Sequence, residues 1–192
     1  MVTYTVYTMV VALVGLERLV ELRLSRRNAA VALSRGGIEL GRGHFTLMAL
    51  LHAAFLPSCV MEVWALHRPF VPSLFLVMLI LELLAQGLRY WVIHTLGWRW
   101  NVRVIVVPGE PVVASGPYRF MRHPNYLAVV VEGLALPLMH GAYLTALGFT
   151  LLNAAILWKR IRTEERALRT HCDYEHRLGD RWRLVPRAGA HP

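Results

Sequence analysis

Long apolar blocks constrain this chain more than any other feature. They cover roughly 3–24, 45–66 and 72–96, and a fourth, divided block covers 125–159. A helix needs about 20 apolar residues to cross the hydrocarbon core of a bilayer, and the first three blocks reach that length. The hydrophobic share of 56% exceeds that of ordinary soluble domains, so the expected class is a membrane protein. The fourth block is broken by "LPLMHGAY" at 136–143, where Pro137 and Gly141 end one helix and permit a reversal. Its first limb is short for a crossing at ~1.5 Å per residue and reads as half of a tight hairpin. The expectation is an all-α membrane protein of five transmembrane helices, with a C-terminal helical hairpin and an amphipathic cytoplasmic tail, all in one domain spanning 1–192.

The first block has no basic leader, and Glu17, Arg18 and Glu21 stand where a small-residue cleavage site would fall, so a retained helix is expected. The 21 Lys and Arg against 12 Asp and Glu could suggest nucleic acid, but they concentrate in 23–43, 97–123 and 159–187, which are alternate connections. That is the positive-inside pattern. It predicts a multi-pass protein of the cell membrane, with the N-terminus outside and Arg35, Arg187 and the C-terminus in the cytoplasm. Cys59 and Cys172 have no disulfide or metal spacing.

The first basic connection, "RLSRRNAAVALSRGGIELGRGH", is read as holding a short interfacial helix, its arginines meeting lipid headgroups at about 1 kcal/mol each. In the third, "NVRVIVV" and "PVVAS" are β-branched runs on either side of "PGE", which predicts a small hairpin. Pro124 suits the first position of the next helix, where its absent N–H goes unmissed. After the last apolar block, "KRIRTEERALRTHCDYEHRLGDRWRLVPR" mixes charges with Ile161, Leu168, Leu178 and Trp182, as an amphipathic helix continuing from the fifth would.

Polar side chains inside spans are costly and are functional candidates. Glu82, Gln86 and Arg89 share one helix face, either as a Glu-to-Arg pair that holds the bundle or as part of a site. Asn125 and Glu132 share another. Glu62 reads as snorkelling to the interface, and Glu17 and Glu21 either as partners of connection arginines, the preferred reading, or as the lining of a cavity. His123 has no companions at metal-ligand spacing, so no metal is expected. Neither a phosphate-binding glycine loop nor a serine nucleophile elbow is present. A polar cluster remains. Because the last two membrane helices form a hairpin, Tyr118, Arg122, His123, Asn125 and Tyr126 must lie near Arg160, Arg162, Glu164 and Glu165, around free N–H groups at a helix start. Such a site suits a ligand that is part aromatic, part sugar and part zwitterion.

"GPYRFMRHPNY" followed by a helical hairpin and "RIRTEE" resembles the isoprenylcysteine carboxyl methyltransferase family and, more broadly, the phospholipid methyltransferase-like membrane enzymes, over roughly 95–186. "LERLVELRLSRRN" is similar to the bacterial branch, which includes members placed beside type III polyketide synthases that methylate long-chain alkylpyrones or alkylresorcinols. The resemblance implies S-adenosylmethionine as cofactor, cradled by Gly116, Tyr118, Arg122, His123, Pro124, Asn125 and Tyr126, with Glu164 and Glu165 as paired glutamates. Arg160 or Arg162 would face the acceptor, Arg89 is assigned to the reaction, and Glu82 and Glu132 to acceptor binding. The chain departs from the family in its tail, where a Phe-Gly and two spaced tyrosines are replaced by "HCDYEHRLGDRW", which keeps only Tyr174. The expected function is O-methylation of a lipid-like acceptor, an alkylpyrone or alkylresorcinol hydroxyl or a carboxylate, at the cytoplasmic membrane face. In-line displacement at a sulfonium carbon needs alignment and dryness, and an acceptor already ionised needs an orienting arginine more than a base. The alternatives are an NADPH-dependent membrane reductase of the sterol type and a non-catalytic membrane protein or small transporter. The expected partners are the bilayer and a lipid-like substrate, not nucleic acid or metal.

Overall fold

In the computed structural model, which describes residues 1–186, the apolar blocks are helices: α1 (Val2–Ser34), α2 (Arg42–Ala65), α3 (Pro72–Leu96), α4 (Pro124–Leu138) and α5 (Tyr143–His171), followed by the single turn α6 (Tyr174–Leu178). Arg187, placed in the cytoplasm on charge, lies outside the described residues. Phe45–Ala65, Pro72–Arg99 and Tyr143–His171 are long and apolar enough to cross a membrane, whereas α4 is a shorter apolar helix. The helices turn leucines outward, and Leu47, Leu50, Leu83, Leu84, Leu144 and Leu151 are each more than half exposed. Apolar surface on that scale is stable against lipid, not water. The chain is a multi-pass membrane protein.

Helix α4 starts at Pro124 as its N1 preference dictates. The chain reverses through Gly141, whose φ of 69° is left-handed, and α5 runs back beside α4. The two approach closely at Gly133, where a Cβ would lie 2.4 Å from the Phe149 ring. One core joins Tyr7, Val11 and Val14 of α1 to Phe55, Cys59 and Val63 of α2, to Leu136 and to Phe149. It fills the end of the bundle away from the arginine-rich connections.

Several polar expectations are corrected. Glu62 does not snorkel. Its carboxylate accepts the Leu144 and Thr145 N–H groups (3.0 and 2.7 Å), the Thr145 hydroxyl (2.8 Å) and the Arg68 guanidinium, so it satisfies the open donors at the start of α5 from a neighbouring helix. Glu21 pairs with Arg18 of its own helix (2.8 Å) and Arg89 of α3 (3.5 Å) instead of with connection arginines. Arg89 also donates to Glu132 of α4, and Arg18 reaches Gln86 (2.8 Å). Glu82 accepts from Gln86 (2.9 Å) and not from Arg89. These groups join α1, α3 and α4 through one buried ionic network.

The connections also differ from expectation. Instead of a separate interfacial helix, α1 itself continues to Ser34, because Ser25, Asn28, Ala29 and Ala32 recur on one face and bury against the segment after α3. Asn28 donates to the Gly97 and Trp100 carbonyls (3.1 and 2.8 Å), and Ser25 bonds Asn101 (2.8 Å). This brings the first connection beside the third. The strand β2 (Val104–Val106) therefore pairs antiparallel with β1 (Ile38–Leu40), with Glu39 opposite Ile105, and not with 111–115. The Val112 N–H is taken by Asp173 (2.8 Å).

Glu62→Ala is expected to lower the apparent melting temperature in detergent, by the equivalent of about 1–3 kcal/mol for donors left unpaired. An unchanged melting curve would remove the capping role.

Candidate active site

The site begins with a close approach. Gly116 opens a 3-10 turn (Gly116–Arg119) with φ 56°, and a Cβ there would sit 2.4 Å from the Thr95 hydroxyl of α3. The turn can press onto the end of α3 only as glycine. The chain then enters α4 through His123, whose ring stacks on Tyr126 at 5.3 Å. The Arg122 and His123 N–H groups donate to the Trp182 and Arg183 carbonyls, both at 2.9 Å. The Arg122 guanidinium donates to the Arg181 and Gly179 carbonyls (2.5 Å each), and Arg181 returns a bond to the Tyr118 carbonyl (2.8 Å). The tail is thus bonded to the Tyr118–His123 segment at Tyr118, Arg122 and His123.

Glu165 fixes this arrangement. It is 2% exposed and accepts from His123 Nε2 (3.1 Å) and from Arg183 through Nε (2.9 Å) and Nη2 (2.8 Å). Arg122 (3.8 Å) and Arg169 (3.7 Å) add charge. A buried carboxylate is tolerable only when so surrounded. Its removal would leave several cations unpaired.

Between this clamp and the β1–β2 pair lies a cavity of about 150 Å³, walled by Trp100, Tyr118, His123, Asn125, Tyr126 and Glu164 among others. Four atoms of residues on that wall, Arg99 Nε, Trp100 Nε1, Asn125 Oδ1 and the Tyr174 hydroxyl, are buried without a hydrogen-bond partner among the described residues. Buried polar atoms are seldom left so, and here they belong to residues that line one space. Glu164 accepts the Tyr126 hydroxyl, which in turn accepts from Arg160 Nε (2.8 Å). Burial pushes the Tyr118 hydroxyl well above its ordinary range, as it does, to a lesser degree, the Tyr174 hydroxyl and the Cys172 thiol. These side chains stay protonated at neutral pH and supply no base or thiolate. Asp173 is held below the usual carboxylate range by the Val112 N–H and secures the loop over the cavity.

Of the residues expected from sequence, Tyr118, Arg122, His123, Asn125, Tyr126 and Glu164 line the cavity, while Gly116, Pro124 and Glu165 stand behind it. Arg160 is buried one layer back, bonded also to the Val102 carbonyl (2.5 Å) and touching the Met48 sulfur (3.6 Å). Arg162 lies on the outer side of α5, exposed and stacked over Trp158 at 4.0 Å, because 100° per residue turns it away from Arg160. Arg89, Glu82 and Glu132 belong to the network between α1, α3 and α4 and not to this wall. The segment Trp98–Val113 supplies a large part of the wall and was missed. Its only sequence signal was the aromatic pair Trp98 and Trp100 beside a β-branched run.

Aromatic faces, unpaired donors and acceptors and one inward carboxylate fit a ligand with a flat base, hydroxyls and a cationic end. Comparison with known proteins gives the family. Residues 77–170 match the isoprenylcysteine carboxyl methyltransferase (ICMT) family. The uncharacterized protein YpbQ of Bacillus subtilis is 34% identical over 165 residues, which cover 86% of this chain and 98% of that protein. An uncharacterized protein of Haemophilus influenzae is 29% identical over 152 residues, covering 79% and 88% respectively. With the "GPYRFMRHPNY" turn, the α4–α5 hairpin and the glutamates gathered in one membrane-embedded domain, this chain belongs to the isoprenylcysteine carboxyl methyltransferase family.

Proposed function

We propose that this protein transfers a methyl group from S-adenosylmethionine to an oxygen of a lipid-like acceptor, at the cytoplasmic face of the cell membrane. The observation that carries the reading is the set of unpaired polar atoms, Arg99 Nε, Trp100 Nε1, Asn125 Oδ1 and the Tyr174 hydroxyl, on residues that line one aromatic-walled cavity with Glu164. Trp100 and Tyr118 offer faces to the nucleobase, Asn125 and Trp100 hydrogen-bond its polar edge or the ribose, and Glu164 attracts the ammonium or sulfonium charge. When bound, the donor supplies a methyl group on a positively charged sulfur. The arginine concentration at this end of the bundle supports a cytoplasmic placement.

The remaining work falls to the chain's own side chains. Arg160, held by Tyr126 and the Val102 carbonyl, orients an anionic or hydrogen-bonding head group while the acceptor's tail stays in lipid. Burial of His123 and Tyr126 excludes water, which strengthens alignment and suppresses hydrolysis. The cavity, about 150 Å³, is smaller than the roughly 300–1,000 Å³ of ligand pockets generally. Loading a whole cofactor therefore displaces the loop held by the Arg99–Glu110 ion pair and Asp173. The acceptor, by resemblance, is an alkylpyrone or alkylresorcinol hydroxyl, or a carboxylate.

Calorimetry of the purified protein is expected to show binding of S-adenosylmethionine and S-adenosylhomocysteine and none of NADPH; the reverse preference would make the protein a reductase. The two glutamates should separate. Glu164→Gln is expected to weaken S-adenosylhomocysteine about tenfold or more, through loss of a charged contact, with the fold intact. Glu165→Gln should free the tail, seen as faster proteolysis beyond Leu178. Equal effects of the two on both readouts would reject this division.

A further inference from the structure

The cavity wall carries three arginines, Arg99, Arg103 and Arg122, and their partners distinguish them. Arg122 is spent on the Arg181 and Gly179 carbonyls (2.5 Å each). Arg103 pairs with Glu39 of β1 (3.6 Å) and lies over the Phe45 ring at 5.5 Å. Arg99 is half engaged. Its Nη2 donates to Glu110 (2.5 Å), while its Nε is buried with no hydrogen-bond partner among the described residues.

Nε and Nη2 form one edge of a guanidinium, and a carboxylate laid against that edge accepts from both. The complete form occurs at Glu165, which accepts from Arg183 Nε at 2.9 Å and from Nη2 at 2.8 Å. Glu110 takes only half of the corresponding edge of Arg99, because the backbone around it is held elsewhere. The Gly109 N–H donates to the His171 carbonyl (2.9 Å), the Glu110 N–H to the Val107 carbonyl (3.3 Å) and the Val112 N–H to Asp173 (2.8 Å). Glu164, the other carboxylate on the wall, already accepts the Tyr126 hydroxyl. The edge is therefore left for a carboxylate that enters the cavity.

The existing pair gives way readily. The Arg99 and Glu110 side chains are 33% and 34% exposed, and ion pairs so open to water contribute little. Glu110 can turn outward and be hydrated. The methyl donor ends in an amino acid, with an ammonium and a carboxylate on one carbon. Glu164 matches the first charge, and the second needs a cation with a free edge on the same wall.

Resting on the methyl-transfer reading above, we infer that Arg99 binds the donor's α-carboxylate through Nε and Nη2, and that Glu110 is the stand-in which this carboxylate displaces. Arg99 thereby selects a nucleoside that bears a whole amino acid over one that lacks the carboxylate. The exchange removes one of the holds on the loop over the cavity, so donor entry and release of that loop are coupled.

Calorimetry with S-adenosylhomocysteine and with its decarboxylated analogue, which keeps the nucleoside, the sulfur and the ammonium, reads the carboxylate contact by itself. The wild type is expected to bind S-adenosylhomocysteine about tenfold or more tighter than the analogue. Arg99→Gln should erase that preference by weakening S-adenosylhomocysteine, whereas loss of a residue that only braced the loop would weaken both ligands alike. Glu110→Gln removes the charged stand-in and should tighten S-adenosylhomocysteine about threefold, with the analogue unchanged. The inference is overturned by equal loss of both ligands in Arg99→Gln, by a wild type indifferent to the carboxylate, or by a preference that vanishes in Arg103→Gln instead. A wild type that binds neither ligand overturns the methyl-transfer reading as well. Should Arg99→Gln not fold, Glu110→Gln decides: the preference for the carboxylate-bearing ligand should rise, and an unchanged or smaller preference overturns the inference.

Discussion

The architecture of the arginine-rich end depends on one buried carboxylate. Glu165, withdrawn from water on α5, has its charge matched by His123 at the head of α4 and by Arg183 of the tail, with Arg122 and Arg169 nearby. His123 and Arg183 come from different stretches of chain, so one side chain ties the hairpin, the Tyr118–His123 segment and the tail together. Charge buried among hydrogen-bonded partners favours a single arrangement more than it adds stability. Here that arrangement leaves Glu164, its neighbour in sequence, turned toward the cavity.

A second set of charges organises the other half of the bundle. Arg18 and Arg89 are shared among Glu21, Gln86 and Glu132, so α1, α3 and α4 are joined where hydrophobic association between helices is weak. The two systems meet at α4, which begins at the Glu165 clamp and carries Glu132 two turns later.

Local patterns were legible where the signal was local. Pro124 and Gly141 punctuated the hairpin, and reversal of the chain was enough to bring His123 and Glu165 together. The long-range partners were not. Glu62 looked like any carboxylate near a helix end, because nothing in its own neighbourhood shows that α5 will begin against it. The β-branched run at 104–106 announced a strand but not its partner. That partner is Ile38–Leu40, because α1 continues ten residues past its apolar block and carries the first connection across. The choice between Arg160 and Arg162 turned on helix phase, which only the packing of α5 against α2 and α4 defines.

Hydrogen–deuterium exchange with and without S-adenosylhomocysteine tests the central claim most directly, that the clamp builds a pocket for the methyl donor. The account predicts slower exchange in 98–126 and 164–178, and no change in the α4–α5 turn at 139–143. Protection at that turn alone, or no protection anywhere at saturating ligand, would contradict it.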